Sequence, residues 1–207
     1  MELVNMILIG ITGGSGTGKS TATKLLKQKI SNCKIINLDE YMRRYCNEHR
    51  EDIISKLDLN IGNDHWSTHL VKKYEDIKKW VSIIEKDIET CVRNIILENN
   101  NLVQTIILDW AFLSLLPIYN ECDFTILVKC DLDTKLNRLT KRLEENSKLD
   151  KWNHALIERL RNTALDEFGH TATHIISNNG TLNDLENNIH NILENHKKEL
   201  NNTLIFN

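Results

Sequence analysis

MILIGITGGSGTGKST, Met6 to Thr21, decides the fold. A short apolar run ends in a loop that holds four of the chain's eight glycines, and a helical pattern, TATKLLKQKI, follows at once. Gly13, four residues, then Gly18, Lys19 and Ser20 spell G-x-x-x-x-G-K-S between a strand and a helix, the setting in which that spacing holds phosphates. Successive backbone N–H groups converge on phosphate oxygens only where the chain takes angles closed to residues with a Cβ, and the following helix adds the positive end of its dipole. Gly13, Gly14, Ser15, Gly16, Thr17, Gly18, Lys19, Ser20 and Thr21 are therefore expected to bind a nucleoside triphosphate. Lys19 is expected to reach the β and γ phosphates, and the Ser20 hydroxyl to join a Mg²⁺ shell. The fate of the γ-phosphate stays open, since switches, motors and kinases share this loop.

Further strand-like runs lie at KIINL (Lys34 to Leu38), VQTIIL (Val103 to Leu108), FTILV (Phe124 to Val128) and HII (His174 to Ile176). They are continuous rather than alternating, so both faces are expected to be covered. That predicts the α/β class, with a parallel five-stranded sheet flanked by helices. Leu70, Tyr74, Ile77, Val81, Ile84, Ile88, Cys91 and Ile95 step by four and three along one long helix. Its narrow stripe fits either its own sheet or a heptad seam with another subunit. Lys72, Lys73, Lys78 and Lys79 on this helix face either an anionic substrate or solvent. A second helix carries Leu132, Leu136, Leu139 and Leu143 on one side and Arg138 and Arg142, four apart, on another. From Glu144 to about Trp152 the pattern weakens. Ala155 to Phe168 then reads as a helix with Arg159 and Arg161, and the two helices around a polar turn suggest a lid.

At 207 residues, one domain with a subsidiary lobe is expected. The hydrophobic share of 41%, the charged share of 27% and the formal net charge of -3 are ordinary for a globular protein and too mild to call for a polyanionic partner. No nucleic acid is expected, and no apolar stretch reaches the roughly 20 residues of a membrane helix. Cys33, Cys46, Cys91, Cys122 and Cys130 are scattered without C-x-x-C spacing, which suggests neither a disulfide framework nor a zinc site and points to a cytoplasmic location. His65, His69 and His154 show no metal-ligand pattern. The expected partner is a small molecule, bound by a monomer or weak homo-oligomer.

Two carboxylates close strand-like runs. Asp109 ends VQTIILD and fits the second acidic position of phosphate sites, which holds Mg²⁺ directly or through water; the rival reading is a helix cap or a surface acid. Asp39 ends KIINLD, where ligands collect in an open α/β sheet, and an acid there can orient an acceptor hydroxyl and take its proton. An N-cap for a helix starting at Glu40 is the rival for Asp39. Arg138 and Arg142 either close on the transferring phosphoryl group, whose oxygens match guanidinium donors, or lie on a solvated face.

Together these residues resemble the dephospho-coenzyme A kinase family of small P-loop kinases. ILIGITGGSGTGKST is similar to its opening I-G-L-T-G-G-x-G-S-G-K-S-T. IINLDEYMR stands in the place of I-D-A-D-x-x-x-R, so Asp39 and Arg43 match and Asn37 occupies the position of the first Asp. ILDWAFLSL and CDFTILVKCDLDTKLNRLTKR resemble the Walker-B-like strand, the next strand and the arginine-bearing helix, which assigns Arg138 and Arg142 to its two arginines. Asn162 falls near a recurrent lid glutamine. ATHIISNNGTLNDL resembles A-D-x-V-I-x-N-x-G-x-x-x-x-L, in which Asn178 and Gly180 would line the adenine pocket.

The resemblance implies a nucleoside-monophosphate-kinase-like fold with a core of residues 1–40, 101–143 and 169–200, a helical substrate lobe of about 41–100 and a lid of about 144–168. It implies ATP- and Mg²⁺-dependent phosphorylation of the 3′-hydroxyl of dephospho-coenzyme A, giving coenzyme A and ADP. Lys19, Asp39, Arg138 and Arg142 would be catalytic, Asp39, Arg43 and Asp109 would meet the substrate, and Ser20 and Asp109 would manage Mg²⁺. Departures fall mainly on the acceptor side. Ala111 to Leu115 replace P-L-L-x-E, IIEKDIE replaces an expected H-P pair, and Thr173 replaces the aspartate of A-D. A kinase for a nucleoside or another small alcohol is the alternative. A non-catalytic nucleotide-dependent regulator is weaker, because N-K-x-D is missing and the lone D-x-x-G match, Asp166 to Gly169, lies in the lid helix.

Overall fold

The computed structural model describes residues 6–57, 74–145 and 171–197. In chain order its strands are β1 (Ile7–Thr12), β2 (Cys33–Asn37), β3 (Thr105–Asp109), β4 (Phe124–Lys129) and β5 (His174–Ser177). Its α-helices are α1 (Lys19–Lys29), α2 (Leu38–Glu48), α3 (Arg50–Leu57), α4 (Tyr74–Asn99), α5 (Leu132–Glu145) and α6 (Leu182–Asn195). The strands form one parallel sheet in the order β2-β3-β1-β4-β5.

β1 and β3 are buried along their whole length, which explains why they read as continuous apolar runs. Alternate side chains serve opposite faces. Leu8, Ile106 and Leu108 join the layer of α2, α3 and α4, while Ile7, Ile9, Ile11 and Ile107 join that of α1 and α6. The long stripe of α4 is consumed here: Ile77, Val81, Ile84 and Ile88 are buried in the first layer, with Val92 rather than Cys91 continuing the row. The sheet of the same chain therefore accounts for the stripe without a heptad partner.

The strand bounds agree with the sequence pattern to within two residues, and the one informative difference is at the end of β2. Leu38 and Asp39, expected in or at the end of the strand, belong to the first turn of α2. The Asn37 side chain accepts from the Glu40 N–H at 3.2 Å and caps the helix. The cap is thus Asn37, and Asp39 is free of that duty. Thr173, in place of the family aspartate, ties β5 to β4: its N–H donates to Thr125 Oγ1 at 3.0 Å.

Lys79 Nζ donates to the Leu57 carbonyl at 3.3 Å, joining α4 to α3. Leu70, Lys72, Lys73, Arg159, Arg161, Asn162, the three histidines named above and the D-x-x-G match lie outside the described residues, as does the expected lid beyond Glu145. Among the described residues no helix is long and apolar enough to cross a membrane.

Candidate active site

The sheet order explains where the cleft lies. From β1 the chain passes to β2 on one side, returns to β3, and continues to β4 on the other side of β1. The loop after β1 stands where the direction reverses, the position at which ligands bind in open α/β sheets. A cavity of about 600 Å³ opens there, lined by Gly13 to Gly16 and Gly18 to Thr21 and by residues from the carboxyl ends of the other strands.

Two glycines of the loop are required by what touches them. Gly13 has φ of +148°, and a Cβ there would lie 2.3 Å from the Val128 carbonyl oxygen. Gly18, the N-cap of α1, has φ of +95°, and its Cβ would lie 2.2 Å from Asn178 Nδ2. Having no side chain, Gly18 does not cap the first-turn amides of α1, and that turn carries no acid. An anion is the partner such a helix start favours. Thr17 is fully buried and fixes the loop from within, its hydroxyl donating to the Gly14 carbonyl at 2.8 Å. Asn178 Nδ2 holds the loop from β5, donating to the Thr17 carbonyl at 2.8 Å.

Lys19 is buried, and its ammonium is hydrogen-bonded to Asp109 and lies 3.5 Å from Asp39 Oδ2. Asp109, only 2% exposed, accepts from Lys19 through Oδ1. Its Oδ2 lies 2.9 Å from the Thr23 hydroxyl, which also lies 3.0 Å from the Lys19 carbonyl and shares its one proton between them. Asp109 is therefore neither a cap nor a surface acid. Asp39 faces the same cleft with 54% of its side chain exposed. Its carboxyl titrates above the ordinary range: burial raises it most, Lys19 draws it back, and Asp109 pushes it up again.

Ser20 and Thr21 are exposed at the mouth of the cleft. Arg138 and Arg142 line it from α5, and Arg138 Nη1 lies 3.4 Å from the Thr17 carbonyl. Asn178 and Gly180 line it beside β5. Arg43, one helical turn beyond Asp39, is exposed on α2 and does not border the cleft.

Several contributors escaped the sequence reading. Thr23 could have been found, since it lies four residues after Lys19 on one helix face. Thr181 and Asp184 form a reciprocal capping box that aims the start of α6 at the cleft, and T-x-x-D before an apolar pattern is its signal. Glu89, within IIEKDIE, is buried and accepts from the Ile118 N–H at 2.7 Å and from Arg93 Nε at 3.0 Å. It thereby anchors the 3₁₀ turn Pro117–Glu121 to α4. No local pattern announces that contact.

A family model described as an AAA domain matches residues 9–164. The chain is 28% identical over 193 residues to a dephospho-CoA kinase of Fusobacterium nucleatum, covering 88% of this chain and 94% of the relative. It is 30% identical over 189 residues to a dephospho-CoA kinase of Leptospira interrogans, covering 86% of this chain and 87% of the relative. Among solved structures, TT1252 from Thermus thermophilus superposes with a TM-score of 0.62 at 21% identity over 92% of this chain and 98% of that one. Deoxyadenosine kinase from M. mycoides does so with a TM-score of 0.54 at 16% identity, over 91% and 100%. At such identities these two structures speak for the fold alone. With most of each curated relative aligned, and with a phosphate loop whose lysine meets two acids at the sheet's reversal point, the chain belongs to the dephospho-CoA kinase family of P-loop phosphotransferases.

Proposed function

We propose that this kinase transfers the γ-phosphoryl group of ATP to the 3′-hydroxyl of dephospho-coenzyme A. The observation that carries the reading is the position of Asp39, 3.5 Å from the Lys19 ammonium yet open to the cleft. An acid there stands next to the group that meets the transferred phosphoryl, and burial, by raising its titration above the ordinary value, makes it a stronger base. The names of the two curated relatives supply the acceptor.

In this reading the backbone of Gly13 to Lys19 and the Lys19 ammonium hold the phosphates, and Lys19 exchanges its bond to Asp109 for one to phosphate oxygens. Asp39 orients the acceptor hydroxyl and accepts its proton as the oxygen attacks phosphorus. Arg138 and Arg142 neutralise the charge that spreads over the phosphoryl oxygens. Asn178 and Gly180 flank the adenine of ATP, and Arg43 meets the acceptor farther out along α2. Residues 41–100 serve as the substrate lobe and 144–168 as a lid that keeps water from the γ-phosphate.

A hydroxyl and a carboxylate suit Mg²⁺, a hard ion that keeps several waters. Ser20, exposed in the cleft, and Asp109 would hold it. Thr23 engages Asp109 Oδ2, and Oδ1 is released towards the ion, directly or through water, once Lys19 turns to the phosphates. Mg²⁺, when bound, neutralises phosphate charge.

The test is ADP release with Mg²⁺ and ATP, comparing dephospho-coenzyme A with adenosine, uridine, cytidine and no acceptor. Stimulation by dephospho-coenzyme A alone supports the reading. Stimulation by a nucleoside alone keeps the phosphate assignments and replaces the acceptor.

A further inference from the structure

We propose that the groove between α2 and α4 binds a linear aliphatic polyamine, with its end ammonium groups at Asp87 and Glu98 and its methylenes along Tyr41 and Tyr45. The site is separate from the phosphate-loop cleft, since no residue that lines the one lines the other, and it does not depend on the kinase reading.

A cavity of about 510 Å³ lies between the two helices. One wall is α2, from which Tyr41, Tyr45 and His49 project at four-residue steps and therefore share a face. The other is α4, where Asp87 and Glu98 stand about three turns apart on one face, about 16 Å along the axis. Both carboxylates are exposed, and among the described residues neither has a cationic partner. No lysine or arginine is found among the described residues that line the groove. Burial, the Cys91 thiol and the negative charges of Asp87 and Glu48 push the Tyr41 phenol up to about 12, so the groove carries a negative field and a neutral ring at neutral pH.

This arrangement selects among cations. Two carboxylates so far apart cannot share one metal ion, and between them lie two phenol rings, Ile95 and the Asn94 amide. That strip suits methylenes, and the ring faces attract ammonium groups within the chain. An extended tetraamine such as spermine places its end amines about as far apart as the two acids. The rings are also set before a ligand arrives. Tyr41 and Tyr45 lie 6.3 Å apart at 24°, His49 leans on Tyr45 at 4.3 Å, and both tyrosines and Ile95 pack against the core layer beneath. The Tyr45 hydroxyl donates to Asp87 Oδ2, tying the two walls together and leaving the second oxygen of Asp87 for a ligand. A groove fixed in this way loses little freedom on binding.

The test is calorimetry on the full chain at one fixed ionic strength, with spermine and with putrescine, a diamine too short to span the groove. Spermine is expected to bind at least about ten-fold more tightly, because it alone reaches both carboxylates. Asp87→Asn and Glu98→Gln should each weaken spermine about five-fold, and Tyr41→Leu about three-fold. Glu186→Gln, which removes an equal charge from α6 in the opposite layer, should leave spermine affinity unchanged. Should Asp87→Asn loosen the groove through its bond to Tyr45, Glu98→Gln decides by the same comparison. Failure of spermine to bind overturns the proposal, as does equal affinity for the two amines. Equal weakening by Glu186→Gln and Glu98→Gln also overturns it, since the chain's net charge would then account for the attraction.

Discussion

Lys19 and Asp109 are paired at the floor of the cleft, the lysine 7% and the aspartate 2% exposed. Removing one member of such a pair strands the other charge out of water, which costs more than the pair itself contributes. Lys19→Met, which leaves Asp109 with Thr23 alone, is expected to lose about 3 kcal/mol of stability in urea denaturation. Adding Asp109→Leu to that variant should restore part of the loss, since no charge is then buried unpaired. Equal stability of wild type and Lys19→Met would show that the pair is relaxed by solvent.

Asp39→Asn is expected to lower turnover by about a hundred-fold or more, the usual contribution of a general base, while ATP affinity stays near wild type. Retained turnover would remove Asp39 from the chemistry. The same residue gives a stability test in the free protein. Its folded titration point is raised, chiefly by burial, so its contribution to stability is fully present below the ordinary carboxylate range and is lost as pH rises through the folded value. Wild type should therefore lose stability relative to Asp39→Asn on going from acid to neutral pH. The effect is small because over half of the side chain meets solvent, where charge is screened.

The phosphate loop was legible because its demands are local: glycines, lysine and serine lie within a single run between a strand and a helix. The five strands were legible because burial on both faces leaves continuous apolar runs. Asp39 shows the limit of that reading. Asn37 and Asp39 are both good caps, and only the hydrogen bond to Glu40 decides between them. Glu89 was beyond reach for a different reason. Its partner, Ile118, comes from a segment 29 residues away, brought to it by the packing of α4 on the sheet. Where no partner is local, spacing carries no signal.

Gly18 and Asn178 couple the phosphate loop to β5. Gly18→Ala forces a Cβ to within 2.2 Å of Asn178 Nδ2 and also puts a side chain on a residue at φ +95°. ATP binding, read by calorimetry, should be lost. The double variant Gly18→Ala with Asn178→Ala removes the collision but leaves the backbone strain, about 1 kcal/mol or more at such a position. Stability should thus recover only in part, and ATP binding should stay weak because the amide that holds the Thr17 carbonyl is gone. Full recovery would mean that contact, rather than backbone conformation, requires the glycine.

His174 at the start of β5 and His196 at the end of α6 meet with their Nε2 atoms 2.7 Å apart, and Phe124 stacks on His196 with centroids at 4.0 Å. One imidazole must accept while the other donates, so two protonated rings would set N–H against N–H. Burial, and then the neighbouring His196, hold His174 below its ordinary value of 6.5. A folded value below the unfolded one makes the contribution to stability complete above the ordinary value and lost as pH falls from there through the folded one. Urea midpoints should accordingly drop between about pH 7 and 5.5, the range over which an unperturbed histidine protonates. His174→Gln, which keeps a side chain able to hydrogen-bond His196 without titrating, should flatten that decline. The same slope in the variant would trace the acid sensitivity to other groups. ATP affinity should be untouched by the substitution, since the pair sits at the start of β5 and the end of α6, opposite to the ends that border the cleft.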